Sequence, residues 1–106
     1  MQAYDIKRGH ARTLEGDGLK TILEECYASV SQDGEEYLVR HGAIQEMRVW
    51  VETNQLHVDM AMNPQVDDAT AADTIRAHNR FLEQATGFTA KQRRSRMQRK
   101  AKEGKL

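Results

Sequence analysis

The sequence predicts a single α+β domain in which a small antiparallel sheet packs one face against helices. The predicted order is β-α-β-β-β-α, followed by a basic C-terminal helix. Two segments carry apolar residues at helical spacing, and the runs between them alternate apolar and polar residues. A chain of 106 residues suffices for one core but not for two. We therefore assign residues 1–88 to the domain and residues 89–106 to a helical extension.

The N-terminal part of the chain predicts a short edge strand and then a helix. Weak alternation over residues 2–7 indicates the strand. Asp17 is a suitable N-cap for a helix whose apolar residues, from Leu19 to Val30, share one face. Residues 32–34, Gln-Asp-Gly, form a turn cluster that is expected to end this helix.

The middle of the chain predicts a hairpin. Strand character begins at Tyr37, and two alternating runs, residues 44–51 and 56–62, flank Thr53 and Asn54. Three apolar pairs then share one face: Val51 with Leu56, Val49 with Val58, and Met47 with Met60. Because a slip of one residue would turn every apolar side chain to the other face, the pattern specifies this register. We expect a bulge near residues 45–46, where the alternation breaks.

The last third of the chain predicts two helices. Thr70 and Asp73 resemble a capping box, with Asp67 or Asp68 as an earlier cap. The apolar face of this helix is expected to contain four residues: Ile75, His78, Leu82 and Ala85. Gly87 is a good terminator. Thr89 and Gln92 form a second capping box, so the basic segment is expected to start as a new helix.

A net charge of zero conceals a division of charge along the chain. Residues 91–105 carry eight bases and one acid, a net charge of +7, whereas residues 1–90 carry eight bases and fifteen acids, a net charge of −7. Such asymmetry of charge is typical of a protein with a basic arm whose function is separate from that of its domain.

Two sequence blocks identify a family resemblance. The first is Tyr-x-x-Lys-Arg-Gly at residues 4–9, and the second is Phe-Leu-x-x-Ala-Thr-Gly at residues 81–87, followed by the basic C-terminal helix. With these blocks the chain resembles a small uncharacterised archaeal family of unknown function. The resemblance implies a cytoplasmic archaeal protein with no established activity, and it supplies no catalytic residues.

The basic segment is the main functional signal. Lysine and arginine on a helix neutralise phosphates and release counterions, which gives affinity for nucleic acid. The candidate residues in the tail are Lys91, Arg93, Arg94, Arg96, Arg99, Lys100 and Lys102. A basic loop supplies three more candidates, Lys7, Arg8 and Arg12. The alternative is a solvated helix, or one that lies across the acidic domain of its own or a partner chain.

The second face of the predicted hairpin is a candidate protein interface. It carries two cross-strand pairs, Arg48 opposite Asp59 and Trp50 opposite His57. Aromatic and arginine side chains together are typical of interfaces and of platforms on which bases stack. We expect this face to pair with another chain, as in a homodimer. The alternative is a tryptophan partly covered by the N-terminal segment or the tail helix.

Several function classes are not indicated. The sequence contains no nucleophile elbow, phosphate-binding loop or dinucleotide fingerprint, so we expect no catalytic residues, no enzymatic activity and no small-molecule cofactor. His57 and Asp59 could chelate a metal, but the spacing of the other histidines indicates no third ligand. Cys26, the single cysteine, falls on an apolar helix face and is expected to be a core thiol.

The same observations favour a cytoplasmic location. One cysteine cannot form an internal disulfide, the N-terminus lacks the apolar stretch of a secretory signal, and no apolar run is long enough to span a bilayer. The hypothesis is a non-catalytic cytoplasmic module that contacts RNA or a ribonucleoprotein through its basic helix. The alternative is a structural or protein-interaction module, either a homodimer or the partner of an acidic protein.

Overall fold

The computed structural model describes residues 2–102, and side chains are described through residue 99. An antiparallel sheet in the order β1-β5-β4-β3-β2 packs one face against helices, which confirms the predicted α+β class. The elements are β1 (Gln2–Asp5), a 3₁₀ helix (His10–Leu14), α1 (Gly18–Cys26), β2 (Ser29–Asp33), β3 (Glu36–His41), β4 (Ile44–Glu52), β5 (Gln55–Met62), α2 (Asp68–Thr86) and α3 (Ala90–Lys102).

The sheet has one strand more than the sequence predicts, because α1 ends earlier than expected. The helix stops at Cys26, and Tyr27 is extended with φ −126° and ψ 153°. The chain then forms β2, in which Val30 lies opposite Val39 of β3. The turn cluster after it therefore connects two strands rather than ending a helix. Pairing with β3 supplies hydrogen bonds to a Ser-Val-Ser segment that has only modest helix propensity.

The central hairpin has the predicted register. Three apolar pairs share the sheet face that the helices cover, Met47 with Met60, Val49 with Val58 and Val51 with Leu56. Met60 and Val51 are 36% and 41% exposed, and the other four residues are buried in the core. The strands are joined by a two-residue loop in which Thr53 and Asn54 both have positive φ, 53° and 58°. This conformation matches a type I′ turn, whose twist suits a hairpin. The expected bulge is present between Ile44 and Glu46.

The core lies between the sheet and the helices. Its fully buried side chains include Leu23 of α1, Met47 and Val49 of β4, Leu56 of β5 and Phe81 of α2. Cys26 is also buried, as predicted. Burial of these apolar groups is the main stabilising contribution to a domain of this size.

α2 buries a different residue from the one expected at the start of its apolar face. Ile75 is 58% exposed, whereas Thr74 is 1% exposed. The Thr74 hydroxyl donates to the carbonyl of Thr70 at 2.7 Å and accepts the backbone N–H of Ala43 at 2.9 Å. Asn63 N–H donates to the Ala43 carbonyl at 2.8 Å. The β3–β4 turn is thus fixed to both α2 and the end of β5.

α2 begins at the earlier of the two predicted starts and ends at the predicted glycine. Thr70 lies within the helix, so the predicted capping box of Thr70 and Asp73 does not start it. Asp67 is the N-cap, and its side chain accepts the backbone N–H of Thr70 at 3.1 Å. Hydrogen bonding from the side chain of Thr70, and then from its backbone N–H, lowers the pKa of Asp67. Gly87 terminates the helix in the left-handed region with φ 80°. That conformation favours glycine, and a β-carbon at this position would also lie about 3 Å from the side chains of Lys7 and His10.

Candidate nucleic-acid interface

The N-terminal basic loop is attached to the C-terminal end of α2. Lys7 N–H donates to the carbonyl of Thr86 at 2.8 Å, and His10 Nε2 donates to the carbonyl of Gln84 at 2.6 Å. A β-carbon at position 87 would lie 3.0 Å from the His10 ring and 3.1 Å from the Lys7 β-carbon, so the loop packs tightly against Gly87. The loop therefore has a fixed position beside the last turn of α2.

The second basic segment begins at the same place. α3 starts three residues after Gly87, and its first turn is closed by the predicted capping box. Gln92 Oε1 accepts the backbone N–H of Thr89 at 2.9 Å, and Thr89 Oγ1 accepts that of Gln92 at 3.2 Å. The two basic segments, which are distant in sequence, therefore meet at the end of α2.

Two of the predicted nucleic-acid residues instead hold α3 to the domain. Arg93 donates to the carbonyl of Phe88 at 2.6 Å and to Asn79 Oδ1 at 3.4 Å. Arg96 pairs with Asp5 at 3.1 Å, and its guanidinium lies 4.6 Å from the centre of the Phe88 ring. Burial lowers the pKa of Arg93. These contacts give α3 an inner and an outer side.

The outer side of α3 presents its remaining described cations to solvent. Lys91, Arg94 and Arg99 are exposed. Lys7 and Arg8 of the loop are also exposed, and we use the term basic surface for these five residues. Arg12 is exposed as well, within the 3₁₀ helix.

Two further predicted tail residues, Lys100 and Lys102, have side chains outside the described residues. Residues 103–106, which include Lys105 and the single acid of the tail, also lie outside them.

The predicted interface residues lie on the sheet face opposite the helices, which we call the open face. The Trp50 and His57 rings stack, with centres 5.4 Å apart and planes 6° from parallel. Arg48 lies 3.7 Å from carboxylate oxygens of three acids, Asp33, Glu36 and Glu46. Asp59 pairs opposite Arg48 across the β4–β5 ladder and is exposed. All four predicted residues are therefore together on this face.

The open face is acidic. Within residues 2–102, the strands place four more acids than bases on it: Asp5, Asp33, Glu36, Glu46, Glu52 and Asp59 against Arg40 and Arg48. A phosphate backbone would be repelled by this surface. The stacked Trp50 and His57 pair is therefore unsuited to serve as a platform for nucleic-acid bases, and the basic surface is the better site for a polyanion.

A polar cluster near the end of β3 was not apparent from the sequence. His41 Nδ1 accepts the backbone N–H of Ala28 at 3.0 Å, and its Nε2 donates to Asp73 at 3.1 Å. The Tyr27 hydroxyl is hydrogen-bonded to His78 Nδ1 at 3.0 Å. Burial raises the pKa of Tyr27 and lowers that of His78. Both ring nitrogens of His41 are engaged within the domain, so this cluster joins elements rather than presenting a base to solvent.

Neither a metal centre nor a membrane span is found in the described part of the chain. Residues 2–102 contain no group of three His, Cys, Asp or Glu side chains arranged to hold a metal ion. Among the described helices, none combines the length and apolarity that crossing a bilayer requires. Burial raises the pKa of the Cys26 thiol, which disfavours the thiolate form.

Comparison with known proteins supports the fold and identifies the family. The chain is similar to the NMR solution structure of the hypothetical protein TA0095 from Thermoplasma acidophilum, with a TM-score of 0.65 and 22% sequence identity. The similarity covers 92% of this chain and 97% of that chain, and at this identity it shows the fold alone. No curated protein matches the sequence. A model for a domain of unknown function (DUF5611) matches residues 1–99. The resemblance to an uncharacterised archaeal family is thus confirmed, and the chain belongs to the DUF5611 family.

Proposed function

We propose that this chain is a non-catalytic cytoplasmic module that contacts RNA through its basic surface. The observation that carries this proposal is the attachment of the basic loop to the end of α2, directly before α3 begins. Two separate basic segments thereby form one cationic region. Lysine and arginine side chains that converge on one side of a small domain are the electrostatic signature of a nucleic-acid-binding protein.

The chemistry of the basic surface favours contacts with phosphates rather than with bases. Its described members are exposed lysines and arginines, and the aromatic ring beside α3, Phe88, is already covered by Arg96. Such contacts give affinity that depends on salt and only weakly on RNA sequence. We therefore propose recognition of the RNA backbone by charge.

The anchoring arginines contribute indirectly. Arg93 and Arg96 fix the inner side of α3 against the domain, so the outer side presents Lys91, Arg94 and Arg99 in a constant orientation. A helix that is already ordered does not lose conformational entropy when it binds, which favours affinity.

RNA binding with a single-stranded oligouridine probe tests the proposal. If all five residues of the basic surface contact phosphates, the log–log slope of affinity against salt should be about −3.5. The double variant Lys91→Glu with Arg94→Glu should weaken binding strongly and make this slope shallower. The matched control is Arg76→Glu with Arg80→Glu, which makes the same charge change at exposed positions of α2.

The proposal is wrong if the intact protein does not bind the probe at low salt. It is also wrong if the α3 variant and the α2 control lose equal affinity, since net charge rather than the basic surface would then account for binding. Circular dichroism of both variants establishes that they are folded.

A further inference from the structure

The negative charge of the open face determines which kind of partner it can bind. It carries an excess of carboxylates, with Glu52 and Asp59 exposed near the stacked Trp50 and His57. Two copies that met symmetrically through this face would bring like charges together, which costs affinity. A homodimer formed face to face through Trp50 is therefore disfavoured, and the open face instead suits a basic partner.

Trp50 gives this face a contact point for arginine. Its ring is stacked on His57 on one side, and the residue is half-buried, so part of the indole remains accessible. A guanidinium that stacks on an indole while it pairs with nearby carboxylates gains from both interactions. A helix with exposed arginines fits such a surface better than one with lysines alone.

The chain itself contains a basic helix of this kind. The outer side of α3 presents Lys91, Arg94 and Arg99 to solvent. Within one molecule α3 is held by Arg96, which pairs with Asp5 at the end of the edge strand β1, and by Arg93, which bonds Asn79 of α2. These contacts engage the inner side of α3 and leave the exposed cations of its outer side available to another molecule.

We propose that the open face binds the outer side of α3 from a second copy of this chain. The argument is charge complementarity: an excess of carboxylates around Trp50 on one copy meets the exposed cations of α3 on the other. The contact is between two different surfaces, so it forms either a reciprocal dimer or a head-to-tail chain. It does not depend on RNA binding, because both surfaces belong to the protein.

A charge-exchange experiment on nucleic-acid-free protein tests this contact. The face variant carries Glu46→Lys, Glu52→Lys and Asp59→Lys, which changes the charge that the strands place on the open face from −4 to +2. The helix variant carries Arg94→Glu and Arg99→Glu, which changes the charge on the outer side of α3 from +3 to −1; all five substituted positions are exposed. Each variant alone presents like charges on both surfaces and should sediment as a monomer. An equimolar mixture restores opposite charges at both contacts and should form a mixed complex.

Wild-type protein should self-associate at low salt and dissociate as the salt concentration rises from about 0.05 M to about 0.5 M, where screening shortens to a few ångströms. The matched control carries Glu15→Lys, Glu24→Lys and Glu25→Lys at exposed positions before and within α1, which should leave association unchanged. Since the mixture contains both variants, restored association also shows that both are folded.

The proposal is overturned if wild-type protein remains monomeric at low salt. It is equally overturned if association persists at high salt, or if the mixture of folded variants stays monomeric. RNA binding plays no part in these measurements, so their failure would leave the proposed RNA contact standing, and loss of RNA binding would leave self-association standing.

Discussion

Replacement of Thr74 by valine isolates the contribution of one buried hydroxyl to the stability of this domain. Valine has nearly the same shape as threonine but cannot accept a hydrogen bond. In the native structure the Thr74 hydroxyl accepts the backbone N–H of Ala43, and both residues are almost fully buried. The substitution would leave that N–H without an acceptor, in a place that water does not reach.

The expected cost follows from this geometry. A buried donor left without a partner destabilises a protein by about 1–3 kcal/mol. The Thr70 carbonyl would also lose the hydroxyl that donates to it, although this carbonyl lies within a helix and keeps its other acceptor site. For a domain of this size, a loss of about 2 kcal/mol lowers Tm by roughly 10 °C.

Urea unfolding of Thr74→Val measures this cost, with Thr21→Val as the matched control. Thr21 also donates from its hydroxyl to the carbonyl four residues earlier, but it is exposed, so its replacement should change stability by less than about 0.5 kcal/mol. Hydrogen exchange at Ala43 should accelerate in the Thr74 variant. Equal stability of the two variants, or unchanged exchange at Ala43, would refute the role assigned to this hydroxyl.

Three further predictions test the core, the extension and the buried histidine. Val49→Asp places a charge at a fully buried position and should cost several kcal/mol in urea unfolding, whereas Arg48→Ala on the open face should cost less than about 1 kcal/mol; equal losses would contradict the assigned faces. Deletion of residues 89–106 should abolish RNA binding while circular dichroism shows a cooperative fold, because Met97 on α3 is 41% exposed; unfolding would show that α3 completes the core. Because burial lowers the pKa of His78 below 6.5, the unfolded chain takes up a proton that the native state does not. The contribution of His78 to the free energy of unfolding should therefore be fully present above about pH 6.5 and be lost as the pH drops towards the lower native pKa. His78→Gln should reduce this dependence of stability on pH.

The central hairpin could be predicted because its pattern tolerates only one register. Apolar and polar residues alternate on both sides of Thr53 and Asn54, so a slip of one residue would turn all the apolar side chains of one strand to the opposite face. Local turn geometry agrees with this, since both loop residues take the left-handed conformation of a type I′ turn. The alternating pattern and the turn residues both lie within a short stretch of sequence, so the hairpin can be predicted from that stretch alone.

The end of α1 could not be placed because the apolar pattern continues past it. Cys26 and Tyr27 are buried and Val30 is half-buried, as a longer helix would require. α1 and β2 both contact the same core. The apolar residues therefore keep a helical spacing by coincidence where the helix ends and the strand begins. The pairing of β2 with β3 decides the structure, and that pairing depends on backbone hydrogen bonds that hydropathy does not record.

The burial of Thr74 rather than Ile75 also depends on a backbone hydrogen bond. Hydropathy alone favours burial of the isoleucine, but the β3–β4 turn presents the N–H of Ala43 to α2 and needs an acceptor there.

The positive charge of the basic segment was evident from the sequence, but its contacts with the domain were not. Its division into an inner and an outer side depends on Asn79 and Asp5, which lie 14 and 91 residues from the arginines they bind.

The distance between the two charged surfaces determines how they act together. The molecule measures 37 × 31 × 19 Å along its principal axes. α1 and α2 pack on the core side of the sheet, whereas α3 contacts Asp5 at the end of the edge strand β1 through Arg96. Electrostatic interactions are screened over about 8 Å at physiological salt and about 30 Å at 0.01 M. Near physiological salt an RNA chain on the basic surface is therefore largely screened from carboxylates more than about 8 Å away. At low salt the acidic face opposes binding, so the log–log plot of RNA affinity against salt should flatten there. At protein concentrations too low for self-association, conversion of Glu52 and Asp59 to lysine should restore a straight line. A line that is already straight in the wild-type protein would show that the acidic face does not oppose RNA binding.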